Sequence, residues 1–305
     1  NGTRFAIYPL NTSDFTNKQN QLAIVEVTEV EASSAFAHVL EEADGGLGVK
    51  GQIEQGAPAL MLSAPPDLVR RVRLFDQKKL GNAEDELPTQ DLVDKQKDAL
   101  NAVRQDLAGN GWIIEVQEDE AAHYQVAIGR NGEYEICIGM PINNLNPPLM
   151  IGDSQATQEV VKRLVHLAKY QAVQELDNPD SALINALEFV LLDQKKQPFP
   201  DSSNIVLKNG ELAYLRFKNT SAQPLNIAVL NLESTWEISQ YQIQGLDAPF
   251  FQLVPNQVED NPIRFKIPKD KGYEQVQEKL KLFATRGPAD FRWLKLPALR
   301  GRQKW

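Results

Sequence analysis

The sequence predicts a β-rich α+β protein, with a small N-terminal β domain, a mixed α+β middle domain and a C-terminal antiparallel β-sandwich. Three observations predict it. Apolar and polar residues alternate in short runs at the start of the chain, as in "QLAIVEVTEV", and period two is the pattern of a half-buried strand. Two stretches in the middle carry their apolar residues at helical spacing instead. In the last third, short alternating runs are divided by Gly, Pro and Asn, which is the rhythm of an antiparallel sandwich. The expected boundaries are 1–66, 67–185 and 186–305.

In the first region "RFAIYPL", "QLAIVEVTEV" and "SAFAHVLE" read as strands, closed by "IEQGAPALMLSAP". They predict a small barrel or curled sheet, with "DGGLGVKG" as an exposed loop. Strict alternation places Ala23, Val25 and Val27 on one face, and Ile24 and Glu26 on the other.

The middle region begins with a strand in "LVRRVRLF" and a polar link, "GNAEDELP" (81–88). A helix follows, with Val93, Gln96, Leu100, Val103 and Leu107 on one stripe, Asp91 as N-cap and "GNG" (109–111) as its stop. "WIIEV" reads as a strand. "YQVAIGRNGEYEICIG" reads as a hairpin around Asn-Gly; Tyr124, Val126 and Ile128 share one parity, as do Tyr134, Ile136 and Ile138. A second helix, "TQEVVKRLVHLAKYQAVQEL", carries Val161, Val165, Ala168 and Leu176 on one stripe and stops before Pro179.

Seven runs in the last third read as strands: "ALEFVLLD", "NIVLKNG", "LAYLRFKNTS", "LNIAVLNL", "TWEISQYQI", "NPIRFKIP" and "KLKLFATRG".

The 305 residues carry a formal charge of −9, which disfavours phosphate polyanions as partners. "RRVR" (70–73) reads as a strand with solvated charges, and "RGRQKW" as a frayed end. No apolar run approaches the roughly 18–20 residues of a membrane helix. The first residues show no signal-peptide pattern. Position 1 is Asn, not Met, so the sequence is expected to be a fragment or a processed product. The single cysteine, Cys137, rules out an internal disulfide and any multi-cysteine metal site, and fits a reducing cytoplasm.

Chemistry-bearing patterns are sparse. Cys137 lies mid-strand and reads as a packed thiol. His123 opens the same hairpin, and a thiolate–imidazole pair between the two is the enzymatic alternative. His38 and His166 read as packing or partly exposed residues. "EEADGGLG" (41–48) lacks the acidic alternation of a calcium loop, and "GRNGEYE" is followed by a strand where a dinucleotide fingerprint needs a helix. Glu115, Glu118, Asp119 and Glu120 read as a solvated loop. No catalytic, cofactor-binding or metal-binding residue is assigned. The candidate binding surface is aromatic: Trp236, Tyr241, Phe250, Phe251, Phe291 and Trp293. Strand-like spacing makes Trp236, Tyr241, Phe250 and Phe251 core residues unless they line a cleft.

Longer strings carry a resemblance. "GYEQVQEKLKLFATRGPADFRWLKLPAL", "STWEISQYQIQG" and "LKNGELAYLRFKNTSAQPLNIAVLNL" resemble the C-terminal portion of cyanobacterial caspase-family proteins, the metacaspase-like or orthocaspase group of peptidase family C14. "GTRFAIYPLNTSDF", "LAIVEVTEVEAS", "IEQGAPALMLSAP", "GEYEICIGMPINNL" and "EVVKRLVHLAKYQAVQELDNP" extend the resemblance across nearly the whole chain. The last third is also similar to the bacterial module DUF4384. That similarity implies a sandwich with "LKNGELAYLRFKNTS" as central hairpin and with Phe291, Trp293 and Leu294 capping the core after Gly287-Pro288.

The family's His-Gly and Asp-x-Cys-His-type motifs are absent, and Cys137 in "EICIG" matches neither, so no catalytic residue is carried over. The resemblance implies an accessory region of a caspase-like cysteine endopeptidase, placed after its protease domain. The expected partner is a protein, either that protease domain or a separate one, with no nucleic acid, no membrane and no cofactor. Two alternatives stay open: a stand-alone ligand- or peptide-binding module, and a thiol hydrolase using Cys137.

Overall fold

The computed structural model describes residues 2–10, 12, 18–30, 35–42, 53–75, 90–202, 204–268 and 273–299. The loop expected at 44–51, the link at 81–88 and the C-terminal "RGRQKW" lie outside these residues. Among the described residues the protein is β-rich, with two α-helices and several antiparallel sheets, as its sequence predicts. The chain divides into two compact units, Asn1–Ala168 and Lys169–Trp305. No helix among the described residues is long and apolar enough to cross a membrane.

The first unit opens with a four-stranded antiparallel sheet of β1 (Arg4–Ile7), β2 (Ala23–Val30), β3 (Ala35–Glu42) and β4 (Ala59–Met61), in the order β3-β2-β1-β4. The β2–β3 register shifts after Ile24 and after Val27. Such irregularities interrupt strict alternation. Only Ala23 of β2 is fully buried, so the two faces expected for Ala23–Val27 are not kept apart.

A second sheet follows, with β5 (Arg70–Leu74), β6 (Ile113–Glu115), β7 (Tyr124–Ile128), β8 (Glu133–Ile138) and β10 (Leu149–Met150) in the order β10-β8-β7-β5-β6; the short β9 (Met140–Pro141) pairs with β8. Strand β5 runs parallel to both β6 and β7. Parallel neighbours need a long crossover, and α1 (Gln90–Leu107) supplies it between β5 and β6. Gln96, Leu100, Val103 and Leu107 form its buried stripe. The helix begins at Gln90, one residue before Asp91, so Asp91 lies inside it and is not the N-cap. At the other end Gly109 takes a φ of +76°, the left-handed geometry that ends many helices. Asn110 Oδ1 then accepts hydrogen bonds from the Trp112 and Ile113 amides, turning the chain into β6. Gly111 pairs with Ser63, and a Cβ there would lie 2.5 Å from Ser63 Cα, so no other residue fits without movement.

The β7–β8 hairpin closes through a Gly129–Gly132 turn, with Gly132 at φ +84°. Tyr124, Val126, Ile128, Tyr134 and Ile136 are buried as the parity predicts, but Ile138 is 59% exposed because β8 runs off the packed part of the sheet. Helix α2 (Ala156–Glu175) buries a broader stripe than expected: Val160, Val161, Arg163, Leu164, Leu167 and Ala168. Val165 is half-buried, and Leu176 lies beyond the helix end and is exposed.

The second unit contains the sandwich. One sheet is β11 (Leu187–Leu192), β12 (Leu212–Asn219) and β16 (Val258–Arg264). The other contains β13 (Leu225–Leu232), β14 (Ile238–Tyr241), β15 (Phe251–Leu253) and β17 (Lys279–Thr285). Strand β17 pairs along nearly all of β13, so β14 and β15 share the remaining edge of β13, each taking one half. "NIVLKNG" is not a strand, and Val206 within it is 81% exposed; β12 is therefore central without being half of the expected hairpin.

Strand β12 alternates without a break. Ala213, Leu215 and Phe217 meet Leu225, Ile227 and Val229 of β13 in one core. The other parity of β13 supplies Leu230 and Leu232, which pack with Tyr170 and Val173 of the last turns of α2, with Ile238 and with Leu294. Strand β13 is thus covered on both faces.

The segment after β17 closes this second face. Thr285 Oγ1 donates to Gly287 O at the Gly-Pro turn, and Asp290 caps a 3₁₀ turn over Phe291–Leu294 by accepting from the Arg292 amide. Phe291 stacks on Phe283 at 4.3 Å, and Leu296 bridges to Ile238. Phe291 and Leu294 cap this second core. Trp293 does not, because the 3₁₀ turn rotates it outward to 71% exposure.

On the outer face of the first sheet of the sandwich, Arg216 makes a two-pronged ion pair with Asp260 at 2.6 and 2.9 Å, and Lys196 joins at 3.2 Å. The Arg216 hydrogen bond leads in holding the Asp260 carboxyl down at about 2, with Lys196 adding to it.

Two outcomes follow from this packing. In urea denaturation Leu294→Ala is expected to cost about 2–5 kcal/mol, whereas Trp293→Ala stays within about 0.5 kcal/mol. For Asp260, a depressed folded pKa stabilises the protein above the unfolded carboxylate value, and that contribution disappears as pH falls through the folded one. Asp260→Asn should therefore melt lower than the wild type at neutral pH, and the gap should close as pH falls from about 4 toward 2.

Candidate functional site

The apolar interior of the sandwich gives out at one end, and the sequence of β13 shows where. Its inward-facing positions run Leu225, Ile227, Val229 and then turn polar at Asn231, with Glu233 next in the same parity. Ser239 lies opposite Asn231 on β14, and Tyr241 lies opposite Val229. Glu278 enters from the start of β17, and Asn261 from β16. These residues line an open cleft of about 620 Å³, with Gln244, Ile263 and Phe265 among the others. That size falls within the roughly 300–1,000 Å³ of small-ligand sites.

The groups in the cleft are held in place by one another. Asn231 Nδ2 donates to Glu278 Oε2 at 2.9 Å. Ser239 Oγ donates to Glu233 Oε1 at 2.7 Å. The Gln244 amide donates to Asn261 Oδ1 at 2.8 Å, and the Tyr241 hydroxyl donates to Pro262 O at 2.7 Å. Pro262 sits on an edge strand, where its missing N–H costs least. Burial, with Glu233 adding repulsion, pushes the Glu278 carboxyl up, against the Asn231 hydrogen bond. Burial also pushes the Tyr170 hydroxyl, which donates to Glu233 O, up to about 12, with Glu233 and Glu278 contributing.

Three buried atoms of the cleft lining lack a partner among the described residues: Asn231 Oδ1 and Gln240 Oε1, both acceptors, and Asn261 Nδ2, a donor. Each amide is oriented by its other end, so the assignment of oxygen and nitrogen follows from the bonds already made. A buried polar atom without a partner costs about 1–3 kcal/mol. Asn261 is only 1% exposed. Glu233, Glu278, Asn231 and Asn261 were not singled out by sequence; the available signal was the change from apolar to polar along one parity of "LNIAVLNLE".

The six aromatics named from sequence are distributed over several environments. Tyr241 lines the cleft. Phe251 packs on the core between the sheets. Trp236 and Phe291 come together on the other core, where Trp236 meets Tyr170 edge-on at 5.1 Å. Trp236 does so from a backbone φ of +62°, a strained region for a bulky residue. Phe250 is half-buried and Trp293 exposed.

Cys137 is a free, buried thiol, and burial pushes its pKa up, with Glu135 adding to the effect; a nucleophilic thiol needs the opposite shift. His123 Nδ1 accepts a hydrogen bond from the Arg71 amide at 2.9 Å, which ties the ring to β5. Glu115 is held by Arg104 at 2.7 Å, while Glu118, Asp119 and Glu120 are exposed. His38 is exposed on β3 and His166 half-buried on α2. Among the described residues, no cluster of three or more His, Cys, Asp or Glu side chains is placed to hold a metal ion.

The chain matches no family model and no curated protein.

Proposed function

We propose that this chain is a non-catalytic, partner-binding region that accompanies a caspase-like cysteine endopeptidase in a reducing cytoplasm. Binding is assigned to the C-terminal sandwich. The observation that carries the binding part is the open polar cleft, with half-buried carboxylates and with amides whose hydrogen-bonding capacity is only partly used. The family part rests on the strings that run from "GTRFAIYPLNTSDF" to "FATRGPADFRWLKLPAL". The non-catalytic part rests on Cys137, whose burial disfavours the thiolate. A second reading, a stand-alone peptide-binding module, draws on the same cleft, because all its lining residues lie within one unit.

The test uses the caspase-like catalytic domain encoded with this chain, titrated with the chain while its rate on a peptide substrate is followed. Saturable binding with a changed rate is the expected result. Finding no such domain in the same protein or operon, or finding one that ignores the chain in both binding and rate, would sink the protease reading.

A further inference from the structure

We infer that the cleft at the end of the sandwich receives a cationic nitrogen group, the side chain of a lysine or arginine on a protein or peptide partner. This deepens the partner-binding reading and rests on it. The inward-facing chemistry is dominated by oxygen acceptors. Glu233 has one oxygen engaged by Ser239, and Glu278 has one engaged by Asn231. Asn231 Oδ1 adds a buried acceptor with no donor among the described residues. Two carboxylates from neighbouring strands bring their charges into one partly buried space, and repulsion between them contributes to the raised pKa of Glu278. A positive donor relieves that repulsion and fills the vacant acceptor together.

The basic residues at the rim do not neutralise the pair. Arg264 and Lys266 have the opposite parity to the inward-facing Ile263 and Phe265 and are exposed, and Arg264 Nη1 is spent on Gly210 O at 2.8 Å. Lys281 is directed to Gln174 O.

Asn261 is the second, independent observation. It is almost completely buried in the cleft wall, its oxygen is fixed by the Gln244 amide, and its Nδ2 is a donor left over. A bare cation leaves that donor idle. A basic residue within a peptide brings a main-chain carbonyl along with its charge, and so answers both the acceptors and the donor. The apolar part of such a side chain suits the Tyr241 and Phe265 rings that share the cleft.

The experiment follows the side-chain amide resonances of Asn231 and Asn261 in the full chain by NMR. The probes are acetylated, amidated Gly-X-Gly peptides in which X is lysine, arginine, norleucine or glutamate. Lysine or arginine peptides should shift both amides saturably, while norleucine and glutamate peptides leave them in place. Glu278→Gln and Glu233→Gln should each weaken the basic peptide about tenfold or more, the scale of a lost charge-assisted hydrogen bond. Asn261→Leu, which is neutral and similar in volume but lacks the donor, should also weaken it, and thermal melts confirm that each variant is folded.

Equal shifts with norleucine, no shift with any peptide, or the same shifts produced by calcium chloride alone would overturn the inference. Full-length partner binding separates the two levels. If Glu233→Gln/Glu278→Gln protein still binds the catalytic domain as the wild type does, the cleft assignment falls and the partner-binding reading stands. If the wild type itself fails to bind, that reading falls.

Discussion

Strand β13 has no solvent face, and the architecture of the second unit follows from covering it twice. A strand packed on one side can alternate apolar and polar residues, as β12 does, but a strand packed on both sides must be apolar at both parities. "LNIAVLNL" meets that demand apart from Asn226 and Asn231: Leu225, Ile227 and Val229 enter the core shared with β12, and Leu230 and Leu232 enter the opposite one. The second face needs a cover that a two-sheet sandwich does not provide. The last turns of α2 and the segment after β17 supply it, through Tyr170, Val173, Phe291 and Leu294. The unusual backbone of Trp236 belongs to the same requirement, since its ring closes the edge of that core against Tyr170.

The same strand also determines where chemistry can appear. Apolar residues fill its inward parity as far as Val229, after which amides and carboxylates take over. A packed interior tolerates such groups only where they are bonded to one another or open to solvent or a ligand. The hydrogen bonds of Asn231, Ser239 and Gln244 meet part of that need, and three buried atoms of the lining remain without partners among the described residues.

Regular alternation made much of the fold legible, because burial on a single face writes itself into a period of two. Strand β12 and the β7–β8 hairpin are legible in this way. Failures occurred where a local device overrides periodicity. Register shifts in β2 blur its two faces, the 3₁₀ turn at Phe291–Leu294 points Trp293 outward from a sequence that reads as a strand, and "NIVLKNG" has strand composition without a pairing partner. The candidate site was less legible than the fold. Aromatic residues drew attention because they are conspicuous, yet only Tyr241 of the six lines the cleft. The polar residues that define it come from four separate segments, and their convergence depends on tertiary register.

Burial of β13 on both faces anchors the second unit, and native-state amide hydrogen exchange reads that burial out. The account predicts that the amides of Asn226–Asn231 exchange most slowly in that unit, more slowly than those of the edge strands β11 and β16, with rates set by global unfolding. Amides of β13 that exchange as fast as those of the edge strands would contradict it, because a strand paired on both edges and packed on both faces can be reached by solvent only when the unit opens as a whole.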